Sequence, residues 1–172
     1  NFNNCYCLEG GLKRESGIYN AKIHNCTIGD DVYIGDIRNY IANYQIGNNS
    51  YIENIDLLVV TKKSSFGNGT LVATLNEGGG REVPICDILS AHTAYMMSLY
   101  RHSKTLIGNI HKLIEKYCDS VTSEVGIIGN NVIIHSGVVI GTDGYGLYKD
   151  EMGLNHKVPH YGGVSIGNNV EI

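Results

Sequence analysis

The fold is decided by the stretch from Ile28 to Ile52, which reads IGDDVYIGDIRNYIANYQIGNNSYI. An aliphatic residue, often followed by glycine, recurs at six-residue intervals here, with a tyrosine in its place at position 40, and again near the end of the chain. The members of this pattern are Ile28-Gly29, Ile34-Gly35, Ile46-Gly47, Ile52, Ile128-Gly129, Ile134, Ile140-Gly141, Ile166-Gly167 and Ile172. A helix repeats its apolar face about every 3.6 residues and a half-buried strand every second residue, so neither element alone explains a period of six. The pattern is typical of a parallel β-helix built from hexapeptide repeats, and it predicts a β-class fold.

In such a fold three hexads form one triangular coil, and each first-position side chain points towards the axis. Equivalent side chains then stack at the spacing of neighbouring strands, about 4.8 Å. From Lys22 the hexads run without a slip, with first positions at Ile28, Ile34, Tyr40, Ile46, Ile52 and Leu58. The many Gly and Asn residues suit the corners, because both tolerate left-handed backbone angles.

The pattern divides the chain into three segments. Residues 1–76 and 125–172 are expected to form β-helix coils, and residues 77–124 a helical insertion that starts with a flexible Gly-rich connection. Within the insertion, apolar residues three or four apart predict two helices with a break near His102-Ser103, where Ser103 would cap the second helix. A long loop at 142–163 interrupts the last coils, and loops of this length inside a compact fold are usually functional or disordered.

Composition narrows the classes of function. The net charge is -4 and the charges are scattered, so we expect no nucleic-acid partner. No apolar run reaches about 18 residues and no signal peptide is visible, which favours a cytoplasmic protein without a transmembrane segment. The five cysteines form no C-x-x-C pair, so we expect reduced thiols and no metal site. Because the chain starts without Met and stops in mid-repeat at Ile172, we expect a fragment of a longer protein.

Two resemblances to known families extend this interpretation. The first is carried by IGNNVIIHSGVVIGTDGYGL at 128–147, by His156-Lys157-Val158-Pro159 and by GGVSIGNNVEI at 162–172. Over residues 126–172 the chain closely resembles the UDP-3-O-acylglucosamine N-acyltransferases. The hexads are common to many acyltransferases, whereas the loop element from Ile140 to Gly146 is much more specific. Residues 20–118 are similar instead to an uncharacterised bacterial hexapeptide-repeat family, notably at 75–85 and 94–102.

The first resemblance implies a left-handed coil and a reaction of lipid A type biosynthesis, the N-acylation of a UDP-linked amino sugar. The amino group would attack the thioester of acyl-carrier protein or coenzyme A without any cofactor. A histidine would act as general base and backbone N–H groups would hold the oxyanion. The family also implies a homotrimer with active sites between subunits. The family histidine is expected beyond Ile172, so the catalytic residue is unknown and the isolated chain is expected to be inactive. The alternative is a non-catalytic scaffold or trimerisation module.

Four residues of the long loop are candidates for substrate binding. His156 and Lys157 offer cations for a phosphate or phosphopantetheine group, although a purely structural role in the loop is equally compatible with the sequence. Asp143 would accept hydrogen bonds from a sugar or tie a local turn, and Tyr145 lies in the same specific element. Outside the loop, His135 follows an inward-facing position and is expected to be a solvated residue near a corner.

Overall fold

The computed structural model describes residues 1–73, 82–140, 147–150, 152–157 and 163–172. Within these residues the chain is β-rich, as predicted. The helices are α1 (Ala91–Leu99) and α2 (Lys104–Val121), and a short 3-10 turn spans Glu9–Gly11. No helix in the described part of the chain is long and apolar enough to cross a bilayer. The strands are β1 (Cys5–Cys7), β2 (Lys13–Glu15), β3 (Gly17–Tyr19), β4 (Ile23–His24), β5 (Thr27–Ile28), β6 (Tyr33–Gly35), β7 (Tyr40–Ala42), β8 (Tyr44–Ile46), β9 (Tyr51–Glu53), β10 (Leu57–Val59), β11 (Leu71–Ala73), β12 (Glu82–Pro84), β13 (Gly126–Ile128), β14 (Ile133–Ile134), β15 (Leu147–Lys149) and β16 (Asn155–Lys157).

Three parallel sheets collect the repeated strands. The first sheet has the order β14-β9-β6-β3, the second β10-β7-β4 and the third β13-β8-β5. Consecutive strands join different sheets, and many of the paired residues lie three hexads apart, as Ile34 does from Ile52 and Thr27 from Gln45. The six-residue period is therefore expressed as parallel pairing between successive turns of the chain, a pattern compatible with a β-helix.

The long excursion between residues 63 and 124 leaves this pairing intact. Strand β13 continues the third sheet with Ile128 opposite Ile46, and β14 continues the first sheet with Ile134 opposite Ile52. After the loop, a parallel bridge joins Ile166 to Ile128. Each re-joining strand covers the hydrogen-bonding edge of the strand that preceded the excursion, so the edge is paired and not open to water.

Buried aliphatic residues form the core of the parallel sheets. Ile34, Ile52 and Ile134 share one register in the first sheet, and all three are fully buried. The second sheet differs from the prediction, because Tyr40 is exposed and its neighbour Ile41 is fully buried. In strand β7, Ile41 lies opposite Ile23 of β4 and Leu58 of β10. The buried position of β7 is therefore one residue later than the six-residue count predicts. The interior accepts an aliphatic side chain, whereas the hydroxyl of a tyrosine would need a hydrogen-bond partner there.

Corner residues and glycines have separate roles, which the sequence pattern did not distinguish. The left-handed corners use Asn or Asp, with positive φ angles at Asn25, Asn43, Asn49 and Asn131 among others. Gly47 has ordinary backbone angles but allows close approach, since a Cβ there would lie 2.5 Å from the carbonyl carbon of Gly129. Substitution of this glycine would push adjacent turns of the chain apart.

The described chain forms two compact units, one of residues 1–63 and 124–172 and the other of residues 64–123. The second unit contains the antiparallel pair β11-β12 and both helices. Its core consists of Val83, Met97 and Ile114, with further apolar side chains packed around them. Ser103 occupies the N-cap position of α2 without a capping side-chain hydrogen bond, whereas Ser90 caps α1 by accepting the N–H of Thr93 at 3.1 Å.

Candidate functional site

The two ends of the predicted loop meet at a small cavity in the first unit. The cavity has a volume of about 160 Å³ and is lined by Tyr44, Leu57, Leu58, Val59, Ile140, Gly163 and Val164. Ile140 precedes the loop and Gly163 is its last residue, while the other walls come from β8 and β10. Strands of the second and third sheets therefore fix the base of the loop.

Tyr44 anchors the return of the chain after the loop. Its hydroxyl donates a hydrogen bond to the carbonyl of Val164 at 3.0 Å and accepts the N–H of the same residue at 3.4 Å. The side chain is almost completely buried, and burial raises the pKa of Tyr44, partly offset by the hydrogen bond to Val164. A Cβ on Gly163 would overlap the Cγ2 atom of Val60, so only glycine fits next to this anchor.

Within the loop, β15 and β16 form an antiparallel hairpin that positions His156. Tyr148 lies opposite His156, and Lys149 opposite Asn155, so a short turn joins the two strands. Asp150 lies at the start of this turn. Its Oδ1 accepts the N–H groups of Met152 and Leu154, both at 2.9 Å. These bonds are the local side-chain to backbone contacts that favour Asp in turns.

The second carboxylate oxygen of Asp150 contacts the imidazole of His156, with an Oδ2 to Nε2 distance of 2.6 Å. The hydrogen bond from His156 is the main reason why the pKa of Asp150 is lower than usual, and the backbone N–H groups add to the effect. When His156 is protonated, the pair carries no net charge. His156 is therefore a weaker attractor for phosphate than an unpaired cation, and its geometry suits holding the hairpin in shape.

The other predicted loop residues are described less completely. Asp143 and Tyr145 lie outside the described residues. The backbone of Lys157 belongs to β16, opposite Leu147, while its side chain lies outside the described part. The structure thus brings His156 into contact with Asp150. Asp150 was not among the residues that the sequence suggested for substrate binding. The Asp150-Glu-Met-Gly153 turn is the signal that points to Asp150, because Asp and Gly at this spacing favour a tight turn.

His135 also has a carboxylate partner that the sequence alone did not reveal. Its Nε2 lies 2.7 Å from Oε1 of Glu171, and both side chains are exposed. The contact arises because the segment after the loop runs beside β14, with the N–H of His135 donating to the carbonyl of Ile172 at 3.0 Å. An exposed pair of this kind contributes little to stability and lies at the surface, as expected for His135.

A second cavity of the first unit has a cationic wall. It has a volume of about 360 Å³, and its lining includes Asn25, Asn43, Lys62, Lys63 and Glu124. The amide of Asn43 donates to the carbonyl of Val60 at 2.7 Å, which fixes the strand end before the two lysines. The lysines outnumber the single carboxylate, so this cavity suits an anionic group such as a phosphate. No cluster of His, Cys, Asp or Glu suited to a metal ion occurs among the residues that the structure describes.

Comparison with known proteins shows the family to which the chain belongs. The family described as "Domain of unknown function (DUF4954)" matches residues 1–147, which is most of the chain. The protein therefore belongs to this uncharacterised family, and no solved structure matches it.

Curated relatives match a shorter segment and confirm the resemblance seen in the sequence. The chain is 59% identical over 46 residues to UDP-3-O-acylglucosamine N-acyltransferase 2 of Legionella pneumophila, and 58% identical over 45 residues to the enzyme of that name from Shewanella denitrificans. A third relative with that name, from Rickettsia bellii, is 49% identical over 53 residues. These matches cover 26% to 31% of this chain. They span only 13% to 15% of the relatives themselves.

Proposed function

We propose that this chain is the β-helical part of a hexapeptide-repeat acyltransferase that N-acylates a UDP-linked amino sugar. The observation that carries the proposal is the 59% identity over 46 residues to an N-acyltransferase acting on such a sugar. The parallel sheets with their three-hexad stride support a left-handed parallel β-helix, which is the fold that the resemblance implies.

The proposed reaction forms an amide bond. The 2-amino group of the sugar attacks the thioester carbonyl of an acyl-carrier protein or coenzyme A, a C–N bond forms and the C–S bond breaks. A general base takes the proton of the amine, and the thiol leaves with a proton. The acid–base residue belongs to coils after Ile172 in this proposal, so the 172-residue chain alone is expected to be inactive. No cofactor is required.

The nucleotide part of the substrate carries negative charge and needs cations. Lys157 is the better candidate in the loop, because the carboxylate of Asp150 neutralises a protonated His156. Asp143 and Tyr145 remain candidates for the sugar. Lys62 and Lys63, at the second cavity, provide an alternative place for the diphosphate. A charge-assisted hydrogen bond to phosphate contributes about 1.5–3 kcal/mol, so the loss of a true ligand should change the KM at least about tenfold.

Localisation and assembly follow from the same proposal. The five cysteines are free, which is the usual state in a reducing compartment and supports the cytoplasm. A homotrimer, with the site between subunits, is what the resemblance to the acyltransferases supports.

The test is an acyl-transfer assay on the full-length protein with UDP-amino sugars and acyl-carrier protein or coenzyme A thioesters. We expect an N-acylated nucleotide sugar and one released thiol per turnover. The Lys157→Ala variant should raise the KM for the sugar at least about tenfold, whereas Lys149→Ala, on the paired strand of the same hairpin, should leave it unchanged. Turnover with none of the UDP-amino sugars would refute the proposal.

One observation favours a second candidate, a scaffold or trimerisation module without catalysis. The acyltransferase match covers only 13% of the Legionella enzyme and 13% of the Shewanella enzyme. The assay separates the two candidates when it is combined with sedimentation. A trimer without turnover would support the scaffold.

A further inference from the structure

A cavity in the helical unit lies apart from the features used above. It has a volume of about 320 Å³, at the lower end of the range for small-molecule sites. Its lining includes Leu71, Pro84, His111, Ile114, Glu115 and Asp119, together with Cys118 and Gly69. The hairpin β11-β12 supplies one wall and one face of α2 supplies the other. All of these residues belong to the compact unit of residues 64–123.

The inner surface of this cavity is mainly apolar but contains one unusual polar atom. Leu71, Pro84 and Ile114 provide the apolar walls. The Nε2 atom of His111 is buried and has no hydrogen-bond partner among the described residues. Buried ring nitrogens normally have a partner, and leaving one unsatisfied is costly, so this atom is suited to a polar group of a ligand.

The rim of the cavity is acidic. Glu115 and Asp119 lie one turn apart on α2, and His111 lies one turn before them, so the three side chains share a helix face. Both acids are exposed, and neither forms an ion pair within the part of the chain that the structure describes. Two carboxylates at this spacing repel each other, and the lining contains no Lys or Arg.

The thiol of Cys118 beside these acids adds no charge of its own. Burial raises the pKa of the Cys118 thiol, and the neighbouring Cys86 and Asp119 raise it further, so it stays neutral at physiological pH. The cavity therefore combines an apolar floor, one unsatisfied imidazole nitrogen and a negative rim. An organic cation would neutralise the rim while its apolar body fills the floor.

We infer that this cavity is a binding site for a small organic amine with an apolar body. The ammonium group would bind between Glu115 and Asp119, with one N–H donated to the Nε2 atom of His111. The apolar part would contact Leu71, Pro84 and Ile114. This inference concerns a different unit from the proposed acyl transfer and stands independently of it.

The test compares three probes of nearly equal shape on the full-length protein by calorimetric titration. The probes are 2-phenylethylamine, 2-phenylethanol and 3-phenylpropionate. We expect the amine to bind at least tenfold more tightly than the alcohol, and the carboxylate to bind most weakly. Equal affinity for amine and alcohol, or the tightest binding for the carboxylate, would overturn the inference.

Two double variants locate the site. Glu115→Gln/Asp119→Asn should weaken amine binding at least tenfold. Its thermal midpoint should be equal or higher, since a like-charge repulsion is removed. Glu15→Gln/Asp56→Asn makes the same change in charge at two exposed acids of the other unit, and it should change the affinity less than twofold. If both double variants weaken binding equally, the amine responds to overall charge and the proposed site is wrong.

Discussion

Replacing Ile52 by alanine tests the stack of inward residues in the first sheet, because Ile52 is at the centre of that stack. Ile52 lies between Ile34 and Ile134 in the first sheet, and its exposed fraction is 0%. The substitution removes three buried carbon atoms, which contribute about 2.4 kcal/mol at about 0.8 kcal/mol each. The remaining cavity adds to this cost, because neighbours on both sides are held by parallel strand pairing and cannot collapse. We therefore expect the free energy of unfolding to fall by about 3 to 4 kcal/mol.

The assay is urea unfolding followed by circular dichroism, with Ile18→Ala as the matched control. Ile18 occupies the same register opposite Ile34, but at the end of the sheet, where its exposed fraction is 43%. The control should lose less than half of the free energy that Ile52→Ala loses, since much of its side chain is already in water. A loss below about 1 kcal/mol for Ile52→Ala, or equal losses for the two variants, would refute the stacked core.

Three further predictions concern single contacts. Gly163→Ala should lower the free energy of unfolding by roughly 1–3 kcal/mol through overlap with Val60, and the double variant with Val60→Ala should lose less than the sum of the single changes. The folded pKa of Asp150 lies below its ordinary value of 3.8, so its contribution to the hairpin is complete above that pH and is lost as the pH falls through the folded pKa. In NMR titrations its midpoint should rise in His156→Ala, and an unchanged midpoint would contradict the contact. The hydrogen bond to Asp87 raises the pKa of Tyr117 to about 12, and absorbance titration should show one tyrosine moving back towards 10 in Asp87→Asn; no such change would contradict the bond.

The period of six was enough to predict the parallel strands, because each hexad places one aliphatic residue on the same side of a turn. Ile34 and Ile52 pair as that period requires. Tyr40 shows the limit of the pattern, since six-residue counting cannot detect a register change of one position. Burial of Ile41 depends on its partners in the neighbouring strands, and these are known only from the structure.

Sites formed by long-range contacts were harder to predict. Tyr44 and Val164 are far apart in sequence, so nothing in the local pattern links them, although their hydrogen bond fixes the end of the loop. The pair of Asp150 and His156 is local, and the turn residues between them gave a usable signal. Nothing in the local sequence singles out His111, because its surroundings come from β11, β12 and α2 together.

The most direct measurement of the central claim is a crystal structure of the full-length protein soaked with UDP-N-acetylglucosamine. We predict electron density for the nucleotide sugar against the 147–157 hairpin, with its diphosphate near Lys157. Ile34, Ile52 and Ile134 should be stacked on successive coils, about 4.8 Å apart. Well-ordered crystals without ligand density at the hairpin or at Lys62 and Lys63, after a soak at high concentration, would contradict the account.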